Sequence, residues 1–157
     1  LLMNIKLIVI GETHNKELKQ LVDQYINKLK HYVKFELIVL KDGGMKLQKN
    51  IQIKKEGEKI LSILKKNDFI ILLDENGEHQ SSLGFSKFIQ KKLNSGMKSL
   101  TFIVGGPYGF SKEIKSISNQ QLSLSKMTFS HEMVRLFFTE QLYRAFSILN
   151  NEPYHHQ

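Results

Sequence analysis

The chain has no cysteine among its 157 residues. That excludes a disulfide framework, a thiolate metal site and a cysteine nucleophile, and it fits a reducing compartment. No apolar run approaches the length of a membrane-spanning helix. The opening LLMNIKLIVIG lacks a basic leader region and a small-residue cleavage site, so it reads as a first strand and not as a signal peptide. Leu1 and Leu2 precede Met3, which points to an added remnant or to a start further upstream. Repeats, linkers and low-complexity blocks are also missing. Residues 1–157 are therefore expected to form one domain, large enough for a core without staples. There is no HExxH, no Ser–His–Asp spacing and no carboxylate pair that stands out. Six scattered histidines do not make a ligand pattern, so no metal site is expected.

Positive charge is in excess. Lys and Arg number 23 against 15 Asp and Glu, a net +8. Such a balance favours an anionic partner such as nucleic acid, the ribosome or a membrane surface. An AT-rich genome, which writes lysine wherever a polar residue will do, explains the same excess, so the charge permits RNA without identifying it.

Apolar patterning alternates strand and helix. Continuous or alternating runs predict strands at 4–10, 35–40, 69–74, 100–104 and 121–125. Three- and four-residue spacings predict helices at 15–30, 51–65 (Ile60, Leu61 and Leu64 on one side), 83–93 and 131–150. Ser111 is placed to cap a further short helix. Asn76-Gly77 marks a turn, KDGGMKLQKN (41–50) a basic loop, and Pro153 stops the last helix. These elements predict an α/β domain, a mostly parallel sheet flanked by helices. Ligands of such sheets sit at the carboxyl ends of strands. The loops after Leu73, Val104 and Leu124 leave those ends.

The last helix is apolar over about half its circumference, more than the stripe of about 100° that covering one sheet face needs. A homodimer explains the surplus; deep burial within one chain is the other explanation. Arg135 falls inside that apolar arc. A guanidinium there requires a partner, either a structural carboxylate or a polar site.

TFIVGGPYGFS (101–111) empties an apolar strand into three glycines. It matches neither the Walker nor the dinucleotide pattern, so a phosphate cradle is not supported. Gly105 and Gly106 permit close backbone approach or unusual dihedrals. In LSLSKMTFSHEMVR (122–135), small hydroxyl residues alternate with apolar ones before a helix starts. Such a strand end can hold an adenine edge or an amino-acid moiety, or can be a plain connection capped by Thr128 or Ser130. His131 is a candidate acid–base group. PYHH (153–156) sets an aromatic able to stack on a base beside two imidazoles, or is a disordered tail.

Taken together, FIVGGPYGFS, LSLSKMTFSHEMVRLFFTEQLYRAFSILNNEPYH and IKLIVIG resemble the RlmH-type methyltransferases of the SPOUT superfamily, over essentially the whole chain. The resemblance implies methyl transfer from S-adenosylmethionine to N3 of a pseudouridine in 23S ribosomal RNA on the assembled 70S ribosome, in the cytoplasm. It also implies a C-terminal trefoil knot and a homodimer. By motif match, Leu73, Gly105, Leu124, Ser125, Lys126, Met127, Thr128 and Phe129 would form the donor pocket. His131, Arg135, Tyr154 and His155 would lie near the RNA base. Two positions depart from the pattern: Ser130 stands where many members have proline, and His156 where some have arginine. A non-catalytic ribosome-binding module of the same fold is the alternative, and the intact glycine turn and LSLSKMT run argue against it.

Overall fold

The structure is a computed structural model that describes residues 3–43 and 47–156. Among the described residues, five strands alternate with five helices: β1 (Asn4–Ile10), α1 (Lys16–Leu29), β2 (Lys34–Leu40), α2 (Lys49–Ile63), β3 (Phe69–His79), α3 (Ser82–Asn94), β4 (Ser99–Val104), α4 (Lys112–Ile117), β5 (Gln120–Ser123) and α5 (His131–Leu149). The strands form one sheet in the order β2-β1-β4-β3-β5, and every pairing is parallel. All strands therefore present their carboxyl ends at the same edge. Residues 44–46 of the expected basic loop lie outside the described residues.

Side-chain alternation along the strands decides the layers. Ile5, Leu7 and Val9 of β1, with Ile71, Leu100, Phe102 and Val104, meet Leu29 of α1, Phe85 and Ile89 of α3, and Phe138, Leu142 and Phe146 of α5. The opposite face carries Ile8, Ile10, Ile70, Leu72 and Ile103 against Ile60 of α2, Phe110 of the loop after β4, and Ile114 of α4. Burial on both faces explains why the central strands are continuously apolar. The rings of Phe102 and Phe138, both fully buried, lie 4.6 Å apart and pin α5 to the sheet centre; truncating either would cost about 3–5 kcal/mol.

Helix α5 lies between α1 and α3, and none of its residues from His131 to Leu149 is exposed. Much of its broad apolar surface is thus used within the chain, by two helices and the sheet. On α2, Ile60 is buried as expected, whereas Leu61 is 38% exposed.

Two connections differ from expectation. Asn76-Gly77 does not end β3. Leu73 and Glu78 both oppose Leu122 of β5, so residues 74–77 form an outward bulge within one long strand. The Asp74 carboxylate accepts from Asn76 N–H at 2.9 Å there. A β-carbon on Gly77 would sit 2.7 Å from the backbone of Gln121 and Leu122, so this limb of β3 crosses β5 at bare-backbone distance. The last helix stops before Pro153: Asn151 takes φ 57°, and Glu152 N–H donates to Ser147 C=O at 2.9 Å. That left-handed cap turns the tail back onto the helix.

Candidate active site

The carboxyl ends of β4, β3 and β5 are neighbours in the sheet, and their three loops converge on one cleft of about 370 Å³. This volume lies within the range of about 300–1,000 Å³ typical of small-molecule sites. Leu73, Asp74 and Glu75 line it from β3, Val104 to Pro107 from the glycine turn, and Ser123 to Ser125 with Met127 to His131 from the last connection. The three loops singled out in the sequence are brought together. Of the donor-pocket candidates, Leu73, Gly105, Leu124, Ser125, Met127, Thr128 and Phe129 all line the cleft; Lys126 is exposed and does not.

The loop after β5 is held by short-range hydroxyl bonds. Ser123 Oγ donates to Ser125 C=O at 2.7 Å, and Ser125 Oγ accepts from Met127 N–H at 2.9 Å. Thr128 Oγ1 donates to the Glu75 carboxylate across the cleft, which joins the β3 bulge to this loop. Ser130 caps α5 by accepting from Met133 N–H at 3.2 Å. The Phe129 ring packs 4.8 Å from that of Phe137. Met127 is 76% exposed, an unusual apolar side chain at the cleft mouth.

The glycine turn is bare for internal reasons as well. A β-carbon on Gly105 would meet Gly109 C=O and the Phe110 ring at 3.2 Å, and one on Gly106 would meet the Glu56 carboxylate. Glu56, on α2, is 7% exposed. Its Oε2 accepts from Gln52 Nε2 at 3.3 Å, while Oε1 has no partner. Burial raises its pKa above the ordinary carboxylate range, which Gln52 and Lys59 only partly offset.

His131 lines the cleft at the first turn of α5. Burial and then the charge of Arg135 lower its pKa, so the imidazole is neutral near pH 7 and can accept a proton. Arg135, one turn further on, does not line the cleft. It is 1% exposed; Nη2 donates to Ile10 C=O at 2.8 Å and Nη1 to Thr13 Oγ1 at 2.9 Å, while Nε is unpartnered. Its partners are a carbonyl and a hydroxyl at the end of β1, neither a carboxylate nor a cleft. Glu132 secures the same loop, accepting from His14 N–H at 2.8 Å. Burial opposes the ionised form of Glu132, but the bonds from His14 and Asn15 outweigh it and lower its pKa.

Tyr154 and His155 lie elsewhere. Tyr154 OH donates to Glu140 Oε1 at 3.0 Å and lies 3.3 Å from Tyr25 OH, and its ring stacks 4.7 Å from the Arg144 guanidinium. His155 Nδ1 is 3.2 Å from Arg144 Nη1. Tyr32 donates to both Glu152 carboxylate oxygens at 2.6 Å, and burial followed by this carboxylate pushes its phenol up to about 12. The tail is therefore packed along the far half of α5. His131 and Arg144 are separated by about 20 Å of helix, so one chain does not bring the tail to the cleft. Glu56, Glu75, Thr13 and Glu132 were not singled out in the sequence.

Among the described residues, no group of three or more His, Asp or Glu could hold a metal ion, and no helix is long and apolar enough to cross a membrane. Residues 3–155 match the family model described as "Predicted SPOUT methyltransferase". The chain is 58% identical to a protein of Flavobacterium johnsoniae and 56% identical to one of Christiangramia forsetii, in both cases over 99% of this chain and all of the relative. A Bacteroides thetaiotaomicron protein is 42% identical over the same shares. Each of the three is named "Ribosomal RNA large subunit methyltransferase H".

Proposed function

The chain belongs to the SPOUT methyltransferase family, and from that premise we propose that it methylates large-subunit ribosomal RNA, with S-adenosylmethionine as donor and N3 of a pseudouridine in 23S RNA as acceptor on the assembled 70S ribosome. The observation that carries this reading is the convergence of the three strand-end loops on one cleft with a neutral histidine at its edge. The cleft fits the donor in size, in its mixture of strand-end backbone and apolar walls, and in the unpartnered carboxylate behind its glycine turn.

Leu73, Gly105 and the Leu124 to Phe129 loop would hold the donor. Bound there, it supplies an electrophilic methyl group on a sulfonium. The chain has two tasks: to align N3 with that methyl group, and to take the N3 proton. Alignment is a positioning effect. His131 accepts the proton as general base. Arg135 acts through His131, keeping the imidazole neutral and fixing its turn of helix to the end of β1.

Tyr154 and His155 reach an acceptor at the cleft if a second copy supplies them. The separation of about 20 Å along α5 thus supports a homodimer in which the tail of one protomer serves the cleft of the other. Lys49, at the described end of the basic segment 41–50, lies 6.0 Å from the ring of Tyr108 in the glycine turn. That places positive charge beside the cleft mouth, suited to the RNA backbone. The cytoplasm is the matching location, and the implied trefoil knot belongs to this proposal.

Titration calorimetry with S-adenosylmethionine tests the donor assignment. Saturable binding, lost when Leu124→Asp places a charge on the cleft wall, is expected. A folded protein with no affinity for the donor would leave a ribosome-binding module instead.

A further inference from the structure

Glu56 is a buried acid that the proposed reaction does not use. It projects from α2, which packs on the sheet face opposite α5. Its carboxylate ends directly behind Gly106, a residue of the cleft wall. A β-carbon at Gly106 would come within 2.5 Å of Oε1, so only one layer of bare backbone separates the acid from the cleft. Its polar neighbours do not satisfy it. Gln52 reaches Oε2 at 3.3 Å and Oε1 is orphaned. No cation lies within ion-pair distance of it among the described residues. Lys59, the cation on the following turn, donates its Nζ to Lys41 C=O at 2.6 Å.

An uncompensated carboxylate in the interior is costly unless a cation approaches it, and across a single layer of backbone the attraction is less screened than through bulk water. The cleft on the other side of Gly106 is where that cation would enter. Resting on the donor reading above, we infer that Glu56 is a specificity-determining residue, which makes the cleft prefer a sulfonium donor to the neutral thioether left after transfer. The two ligands share their adenosine, carboxylate and ammonium groups and differ in the charge on sulfur and the methyl group. A negative group behind the glycine turn discriminates between them without touching either. It favours loading of the donor and release of the spent product. The glycine at 106 keeps the distance short; any side chain there would displace the acid.

The test is calorimetric titration of the full chain with S-adenosylmethionine and, separately, S-adenosylhomocysteine, for the unmodified protein, Glu56→Gln and Glu56→Asp. Glu56→Gln retains the shape and removes the charge. It is expected to weaken S-adenosylmethionine about tenfold and to leave S-adenosylhomocysteine within about twofold. Glu56→Asp, which retains the charge, is expected to preserve the preference for the sulfonium. Equal weakening of both ligands by Glu56→Gln, or no change in either, overturns the inference and leaves the donor reading intact. If the unmodified chain binds neither ligand, the donor reading fails and this inference with it.

Discussion

The carboxylate of Glu56 occupies the space that a side chain at Gly106 would need, with Oε1 2.5 Å and Oε2 2.6 Å from the position of a β-carbon. The glycine is therefore demanded from behind, by an acid on α2, as well as by whatever the cleft binds in front. Gly106→Ala is expected to destabilise the fold by about 1–3 kcal/mol through overpacking. Glu56→Ala opens that space, so the double variant should be less destabilised than the sum of the two singles. Denaturant unfolding of the four proteins measures the coupling.

Glu56 also carries a pH signature. Its folded-state pKa is raised, by burial first. A raised carboxyl contributes stability that is full below the unfolded pKa and is lost as pH rises through the folded one. Glu56→Gln removes that loss. The Tm of Glu56→Gln should exceed that of the unmodified protein at neutral pH, and the gap should shrink as pH falls toward the ordinary carboxyl value of 4.5. A gap that does not change with pH would contradict a raised carboxyl pKa in the folded chain.

His131 is lowered from 6.5 by burial and by Arg135. The methyl-transfer rate should accordingly rise with pH along a limb centred below 6.5 and be flat at neutral pH. His131→Ala should lose about 10²- to 10⁴-fold with donor affinity retained. Arg135→Gln should shift the limb upward, because a positive neighbour has been removed. It should also cost about 3 kcal/mol of stability, since the Ile10 carbonyl and Thr13 hydroxyl lose their buried donors.

The tail and the cleft are far apart within one chain, which gives the proposed dimer a complementation test. His131→Ala and a chain ending at Pro153 should each be nearly inactive. Mixed in equal amounts and allowed to exchange, they should recover about a quarter of the normal activity, since half of the dimers are mixed and each holds one complete site. No recovery, with exchange demonstrated, would place the tail in the service of its own chain or of none.

Lys49 beside Tyr108 should contribute to ribosome affinity through phosphate. Lys49→Ala is expected to weaken binding for all RNA sequences alike and to reduce the slope of log K against log salt by about 1. Donor affinity should not change.

The sheet and the cleft were legible because burial on both faces forces continuous apolar strands such as FIILL and LTFIV, and because parallel strands deliver their loops to one edge. Glu56 was not. Counting Ile60, Leu61 and Leu64 as the inner face of α2 left every charge to solvent. In the structure Leu61 is 38% exposed, while Glu56 and Gly57 share the buried stripe with Ile60. The three- and four-residue spacing of Ile53, Glu56, Gly57 and Ile60 was available as a signal, but an acid in such a stripe is ordinarily read as a solvated one. Arg135 was legible as buried and in need of partners. Its partners were not, since a backbone carbonyl at Ile10 and a hydroxyl at Thr13 leave no charge pattern. The fold-back of the tail depends on Asn151 in the left-handed region and on Glu140, Arg144 and Tyr32, contacts spread over more than a hundred residues.

The most direct measurement is transfer of labelled methyl from S-adenosylmethionine to 70S ribosomes from cells lacking the modification, with free 23S RNA in parallel and the product nucleoside identified by mass. Label on the 70S particle alone, in an N3-methylated pseudouridine, is the expected result. No label on either substrate, from a protein that is folded and binds the donor, would contradict it.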